Sequence, residues 1–473
     1  MVLRHPLLIA QLLLACACVQ APEQPEAWQA PQLREAFVAE GAQERAGVAV
    51  LDTWWESFGD PQLDALVREA LEHNQDLRAA SARMAGAVAQ ARQAGALRGP
   101  SADAAVAASR NRSVYVGLPI PGAGDVLQST STSFQGDFNI SWEADLWGRL
   151  ADAERAALAS VETSRAQLAG ARLSIAAQTA RLWFALSEAR LQHKLAQDIE
   201  QSYRETEAYV SARVVVGLAQ DYDLRVVEGL RARAAAGVSQ AELLELSSVR
   251  ALEVLLGRYP EGELQGLQAL PALPAAAPVG LPAELLARRP DLVAAQFDMR
   301  SMAARGDSAR ADLYPKLVLT GSTGRTSSAL EDLLDGDFSV WRLAAALSAP
   351  LYDGGRREAA IEALDADLLA ARASFAQSVL RACAEVEGAL DSEALLAQRG
   401  VHWLLALEAS GAAEQLAKLQ YEQGVVDISN LLNARRDRLQ VERERLALRR
   451  AQLDSRVNLL VALGGGFSAG LVE

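Results

Sequence analysis

Apolar residues return every seven positions through two long stretches of this chain. Val161, Leu168, Ile175, Leu182 and Ala189 form one row, with Ser164, Ala171, Gln178 and Ala185 three places after its members; Leu368, Phe375, Ala382 and Ala389 form the second row. Large apolar residues in a row with small ones beside them suit long helices in coiled-coil-like contact. No proline occurs between Ser141 and Tyr259 or from Leu351 to Glu473, and both stretches are rich in Ala, Leu, Arg, Glu and Gln, the composition of strong helix formers. A single glycine interrupts each, Gly217 in VVVGLAQDYD and Gly424 in YEQGVVDISN, which predicts two helical hairpins turning there. The arm from Arg149 to Gly217 would measure on the order of 100 Å at the helical rise, too long for a compact globule. The returning arms are expected to stop at the glycines of Leu255 to Gly257 and Ala462 to Gly466.

A period of two replaces the period of seven ahead of each hairpin. Phe138, Ile140 and Trp142 alternate with Asn139, Ser141 and Glu143, within segments Ala104 to Gly117 and Thr132 to Leu146; the later counterparts are Leu317 to Gly324 and Val340 to Leu351. Such runs are the weak signature of transmembrane β-strands, and a soluble antiparallel sheet is the alternative. Loops are expected at Pro119 to Gln128 and at Ser327 to Asp337. Four strands cannot close a barrel alone, so closure needs several chains.

The two regions are copies of one another. Asp76 and Asp291, like Pro100 and Pro315, lie 215 residues apart, whereas Gly148 and Gly355, Gly217 and Gly424, and Gly257 and Gly464 lie 207 apart. The change of eight falls between Pro100 and Gly148, so the first copy carries the longer loop. A duplicated unit of this length implies two equivalent halves in a pseudo-symmetric object.

Composition narrows the reading. Half of the 473 residues are apolar, enough for a sizeable core, and the net charge of −14 with dispersed Lys and Arg argues against a nucleic-acid binder. At the N-terminus Arg4 and His5 precede an apolar run from Leu7 to Ala15, then Cys16 and Cys18, the layout of a secretory signal peptide over residues 1–15. Leu13-Leu14-Ala15-Cys16 resembles the lipobox of bacterial lipoproteins, which makes Cys16 the expected acylated residue; Cys18 is the rival. Cys383, the only other cysteine, reads as a small buried hydrophobe.

Catalysis finds no support. The four histidines, at 5, 73, 193 and 402, are never spaced i, i+4, and neither the GG nor the GGG run has a phosphate-loop context. No enzyme activity, metal or cofactor is expected. Asp223 and Asp427 start the returning helices, where a carboxylate serves equally as a helix cap or as part of a charged ring at an aperture. Trp54 and Trp55 are expected to pack against the helices, and Trp142, Trp147, Trp341 and Tyr352 to mark strand ends at a bilayer interface.

The segments WWESFGDPQLDALVREALEHNQDLRAA, SWEADLWGR, LLARRPDLVAA, LYPKL, APLYDGGRR and ALGGGF resemble the TolC-like outer-membrane efflux proteins, in particular the NodT-type lipoprotein branch serving resistance-nodulation-division pumps. The resemblance runs from Trp54 to Phe467. It implies an α+β membrane protein: a homotrimer whose protomers each lend four strands to a twelve-stranded outer-membrane β-barrel, continued by a long periplasmic α-helical barrel. The chain then divides into a signal peptide (1–15), a lipidated extended segment (16–50), a first repeat (51–260), a linker (261–280), a second repeat (281–467) and a tail (468–473). The implied function is a passive exit duct for drugs or other small molecules. A periplasmic adaptor (membrane fusion) protein and an inner-membrane resistance-nodulation-division pump would be its partners, with Gly217 and Gly424 at the periplasmic tips. Type I protein secretion, heavy-metal efflux and a pore-less coiled-coil lipoprotein are the alternatives. Two positions depart from the family pattern: Gln220 stands where Ser or Thr is common, and Asn433 where drug-efflux members often carry a gate Asp. Arg436 is the remaining candidate for holding the tip shut.

Overall fold

A computed structural model of the chain describes residues 33–39, 53–116 and 126–466; Cys16 and Cys18 lie outside them. In chain order the main elements are α1 (Pro61–His73), α2 (Gln75–Ala96), β1 (Ser101–Val116), β2 (Val126–Ala144), α3 (Arg149–Val215) and α4 (Asp221–Leu255). The second copy supplies α5 (Pro290–Ala311), β3 (Lys316–Ser327), β4 (Ser339–Ser348), α6 (Arg356–Glu422) and α7 (Ile428–Ala462). The duplication is visible in lengths: α3 and α6 have 67 residues each, α4 and α7 35 each, and α2 and α5 22 each. The architecture is thus mostly helical, with one small sheet.

The hairpins are lopsided. At 1.5 Å per residue α3 and α6 reach about 100 Å, but their returning arms only about 50 Å. The remaining length is flanked by α2 and α5, which begin where α4 and α7 stop. One side chain caps both helices at the first joint: the Asn74 amide oxygen accepts from the N–H groups of Asp76 (2.9 Å) and Leu77 (3.1 Å), while its Nδ2 donates to the Leu255 carbonyl (2.8 Å). The equivalent position of the second copy is Arg289, whose Nη1 donates to the Ala462 carbonyl (3.2 Å) while Nε and Nη2 hold Asp291 (3.0 and 2.8 Å). Burial pushes the Asp291 carboxyl up, but Arg289 outweighs it and holds it below the usual range. Two side chains of different chemistry thus serve one purpose, satisfying carbonyls that a helix end leaves orphaned.

A belt of core surrounds these joints, midway along α3. Trp54, Trp55 and Phe58 pack there with Leu63 and Val67 of α1, Trp183 and Phe184 of α3, Leu252 and Leu256 of α4, and Leu453 and Val457 of α7. Trp183 Nε1 donates to Asp60 Oδ2 (2.7 Å), whose other oxygen caps α1 at Gln62 N (2.9 Å). The segment between the copies is strapped across this belt. Arg190 donates to the Gly266 carbonyl (2.7 Å), Arg449 to Pro271 (2.7 Å) and Arg456 to Pro274 (2.8 Å), with Arg456 also paired to Glu393 in the interior.

The sheet has the order β1-β2-β3-β4, all antiparallel. Its strands differ from the expected segments at both ends: β2 stops at Ala144 and β4 at Ser348, short of Leu146 and Leu351, and the extra residues of the first copy lie in its strands, 16 and 19 residues long against 12 and 10, not in a longer loop. β1 starts at Ser101 rather than Ala104, and β2 at Val126, so three residues assigned to the loop before Ser129 belong to the ladder. At the start of β1 the pairing runs through Ser101, Ala102 and Asp103, too small or polar to show an alternation, and at the start of β2 Val126 and Leu127 are adjacent apolar residues that do not alternate.

Candidate functional site

The register is free of bulges, so residues directly opposite one another share a face. One face carries Ala102, Ala104, Val106 and Ala108 of β1, Phe134, Phe138, Ile140 and Trp142 of β2, Leu317 and Leu319 of β3, and Trp341, Leu343 and Leu347 of β4. The other carries Ser101, Asp103, Gln135, Asp137, Asn139, Ser141, Thr320, Ser322 and Arg342. An apolar face backed by a polar one is the pattern of a wall with lipid on one side and water on the other. Among the described residues no helix is long and apolar enough to cross a membrane. Trp142 and Trp147 anchor the lower rim, donating to the carbonyls of Arg98 and Pro315 (2.8 Å each), and Trp147 stacks on Tyr314 at 5.0 Å.

At the far end of the helices both hairpins turn by the same device. Gly217 and Gly424 each have φ of +74°, a left-handed conformation that favours glycine. The next residue closes the turn in each case, with Leu218 N bonded to the Arg213 carbonyl (2.8 Å) and Val425 N to Gln420 (2.9 Å). The tip has its own core, in which Ile199, Tyr203, Val210 and Val227 of the first hairpin meet Tyr421, Ile428, Leu431, Leu432 and Leu439 of the second. Polar ties join the hairpins alongside it. Arg213 lies over the rings of Tyr209 and Tyr421 at 5.7 and 5.1 Å, a cation–π arrangement. Burial raises the Tyr421 hydroxyl, against the lowering influence of Arg213. Arg435 reaches Thr206 Oγ1 on α3 (2.7 Å) and Glu414 on α6 (2.7 Å), and Arg438 also donates to Glu414. Burial pushes the Glu414 carboxyl up, but these two guanidiniums outweigh it and hold it below the usual carboxylate range.

The candidate residues divide between cap and open face. Asp223 Oδ2 accepts the N–H of Gln220 (3.2 Å), a capping contact at the start of α4. Asp427 stands at the N-cap of α7 without a capping bond from its side chain. Asn433 and Arg436 lie on the exposed side of α7, opposite Leu431, Leu432 and Arg435, and the ion pair of Arg436 is to Asp437 beside it (3.6 Å), both about two-thirds exposed. Tyr209, Arg213 and Glu414 escape sequence reasoning because the contacts that join the hairpins link separate helices, Arg435 and Thr206 lying 229 residues apart. Among the described residues no group of three or more His, Cys, Asp or Glu is placed to hold a metal ion.

Residues 66–258 and 281–465 match the family model described as Outer membrane efflux protein. The chain is 30% identical over 472 residues to the pyoverdine export outer membrane protein OpmQ of Pseudomonas putida, covering 97% of this chain and 96% of that one. It is 28% identical over 467 residues to nodulation protein T of Rhizobium leguminosarum bv. viciae, covering 97% and 92%. Among solved structures it resembles the outer-membrane channel OprN, with a TM-score of 0.84 at 28% identity over 94% of this chain and 99% of that one. It shares the fold of the Campylobacter jejuni CmeC outer membrane channel, with a TM-score of 0.85 at 22% identity over 93% and 94% of the two chains.

Proposed function

Because this chain belongs to the outer membrane efflux protein family and is an outer-membrane efflux channel, we propose that it works as a homotrimeric, passive exit duct, twelve strands at the membrane and a helical barrel below. The observation that carries the assembly is an inequality between equivalent helices. α3 buries twenty-one residues and α6, its duplicate, only seven. Among the described helices α3 is flanked by α2 and α4 on one side and by α5 and α7 on the other, whereas α6 packs chiefly against α5 and α7. A second copy placed after the first would supply the missing flank with its own α2 and α4, and β4 would meet the next β1. This head-to-tail contact repeats and closes into a ring. The purified, detergent-solubilised protein should run as a heat-modifiable trimer and conduct ions in planar bilayers. A monomer, or a trimer without conductance, would favour a pore-less periplasmic spacer instead.

The cargo is a small molecule, a reading supported by relatives named for pyoverdine export and toluene efflux. A periplasmic adaptor would dock at the tips around Gly217 and Gly424 and connect the duct to a resistance-nodulation-division pump. Acylation at Cys16, with Cys18 the alternative, would anchor the segment before Trp54 in the outer membrane.

The closing of the tip rests on charges at its exposed face. The Asp427 side chain makes no capping bond, and the ion pair of Arg436 is to the equally exposed Asp437, so both can reach across the threefold axis. Arg436→Ala and Asp427→Ala should raise single-channel conductance and make cells more sensitive to large antibiotics, with trimer amounts unchanged. Unaltered conductance in the double variant would assign these charges to a solvated face and the closure to apolar packing.

A further inference from the structure

The lipid-facing side of β1 changes character near its upper end. Along that face Ala102, Ala104, Val106 and Ala108 are followed by Arg110 and Arg112, opposite Thr132 and Thr130 of β2. The polar face at the same rungs holds Ser109, Asn111, Ser131 and Ser133 and no charge. Arginines serving the water-filled conduit would stand on that polar face; these stand on the opposite one. From Ala102 to Arg110 is eight residues, about 27 Å along the strand and roughly 20 Å of height at the usual tilt, with Arg112 about 5 Å higher. Counted from Ala102, Arg112 stands at the top of an apolar band about 25 Å tall and Arg110 just below it, within reach of the headgroup layer for a long guanidinium side chain.

On this face of β1 and β2 the described residues include hydroxyl donors and no acid. Both arginines are exposed, and among the described residues neither has a carboxylate partner; Arg112 donates only to the Gln128 amide oxygen. In a closed ring the adjacent strand would be β4 of the next copy, whose residues on this face are Ser339, Trp341, Leu343, Ala345 and Leu347, again without a carboxylate. Two guanidiniums one rung apart, flanked by two threonine hydroxyls, match a phosphate group, which accepts several charge-assisted hydrogen bonds at once.

We propose that Arg110 and Arg112, with Thr130 and Thr132, bind the phosphates of a phosphorylated glycolipid in the outer leaflet, so that this lipid forms part of the barrel rim. The inference rests on the reading of the chain as an outer-membrane channel. Its test titrates diphosphoryl lipid A, the same lipid dephosphorylated, and inorganic phosphate separately against the full-length trimer in mixed micelles, with bound lipid counted by native mass spectrometry. Wild-type protein should bind the diphosphoryl form at least about tenfold more tightly than the dephosphorylated one, because charge-assisted bonds to phosphate carry the contact. The double variant Arg110→Gln with Arg112→Gln should lose that preference, and Arg342→Gln, on the conduit face, should keep it. Equal binding of the two lipids by wild type overturns the proposal whatever the variants do, as does a double variant that retains the preference. Inorganic phosphate competing as strongly as the lipid would mean a free-anion site and likewise overturns it. A heat-modifiable, conducting trimer throughout confines any such failure to the lipid assignment, while its absence in wild type would strike the channel reading itself.

Discussion

Gly257→Ala and Gly464→Ala are each expected to remove most of the assembled channel from the outer membrane, whereas Gly217→Ala and Gly424→Ala leave its amount within about twofold. All four glycines follow a helix and have positive φ: 78°, 95°, 74° and 74° respectively. The strain of a non-glycine residue there is about 1 kcal/mol at every one of them. What separates them is space. A Cβ on Gly257 would lie 2.6 Å from the His73 carbonyl oxygen and one on Gly464 2.8 Å from that of Arg288, while nothing lies within 4 Å at either tip. Backbone cannot swing aside as a side chain can, so the joint between α4 and α2, or between α7 and α5, must open. That would break the Asn74 or Arg289 caps and disturb the belt of Trp183 and Phe184, a combined loss of roughly 3 kcal/mol or more. Immunoblots of heat-modifiable trimer from outer-membrane fractions would measure it. Equal trimer from all four variants would mean that the joints are loose and the end-to-end stacking is incidental.

The same glycines show how far a single sequence reaches. Their spacing of 207 residues places both tips and both joints, and the hairpin arms come out at equal lengths because the copies have kept the same count. Heptads and glycines together predict α3, α6 and their shorter returning arms, but not that α2 and α5 pack along the remaining length, since an apolar row looks alike whether α4 or α2 fills its groove. β2 is legible through Phe138, Ile140 and Trp142, whereas β1 is obscured by its alanines, whose alternation carries almost no hydrophobic contrast. The strap across the belt reads as a plain linker because the arginines that hold it, Arg190, Arg449 and Arg456, come from distant helices. At the tip the charged residues are visible in the sequence, but their division of labour is not. Asp427 is the N-cap of α7, the place Gln220 holds before α4, whereas Asp223 is the third residue of α4, and only Asp223 is engaged in capping. The composition of the two turns does not show this, because a cap is decided by the direction of one side chain.

Charges placed on the outer row of α6 are expected to abolish the trimer and reduce drug resistance to that of a strain lacking the channel. Leu395, Val401, Leu404 and Leu405 are each more than half exposed in the protomer. Their equivalents 207 residues earlier, on α3, are Glu188, Lys194, Gln197 and Asp198. The duplicated helices have thus diverged at matching positions, polar in one and apolar in the other, and an apolar row kept open to water stabilises nothing by itself. It stabilises if the next protomer covers it, where each leucine buried contributes about 1.5–3 kcal/mol. Leu404→Glu with Leu405→Glu would remove that gain and leave two unpaired carboxylates in the interface, at roughly 2–3 kcal/mol or more for each. The core around Trp183 lies within one chain and should survive, so the variant would accumulate as protomer and not as aggregate. Gln197→Glu, at the equivalent polar position of α3, should leave trimer and resistance intact. Normal trimer in the α6 double variant would show that this row faces something other than a second copy, and the head-to-tail ring would have to be closed through different helices.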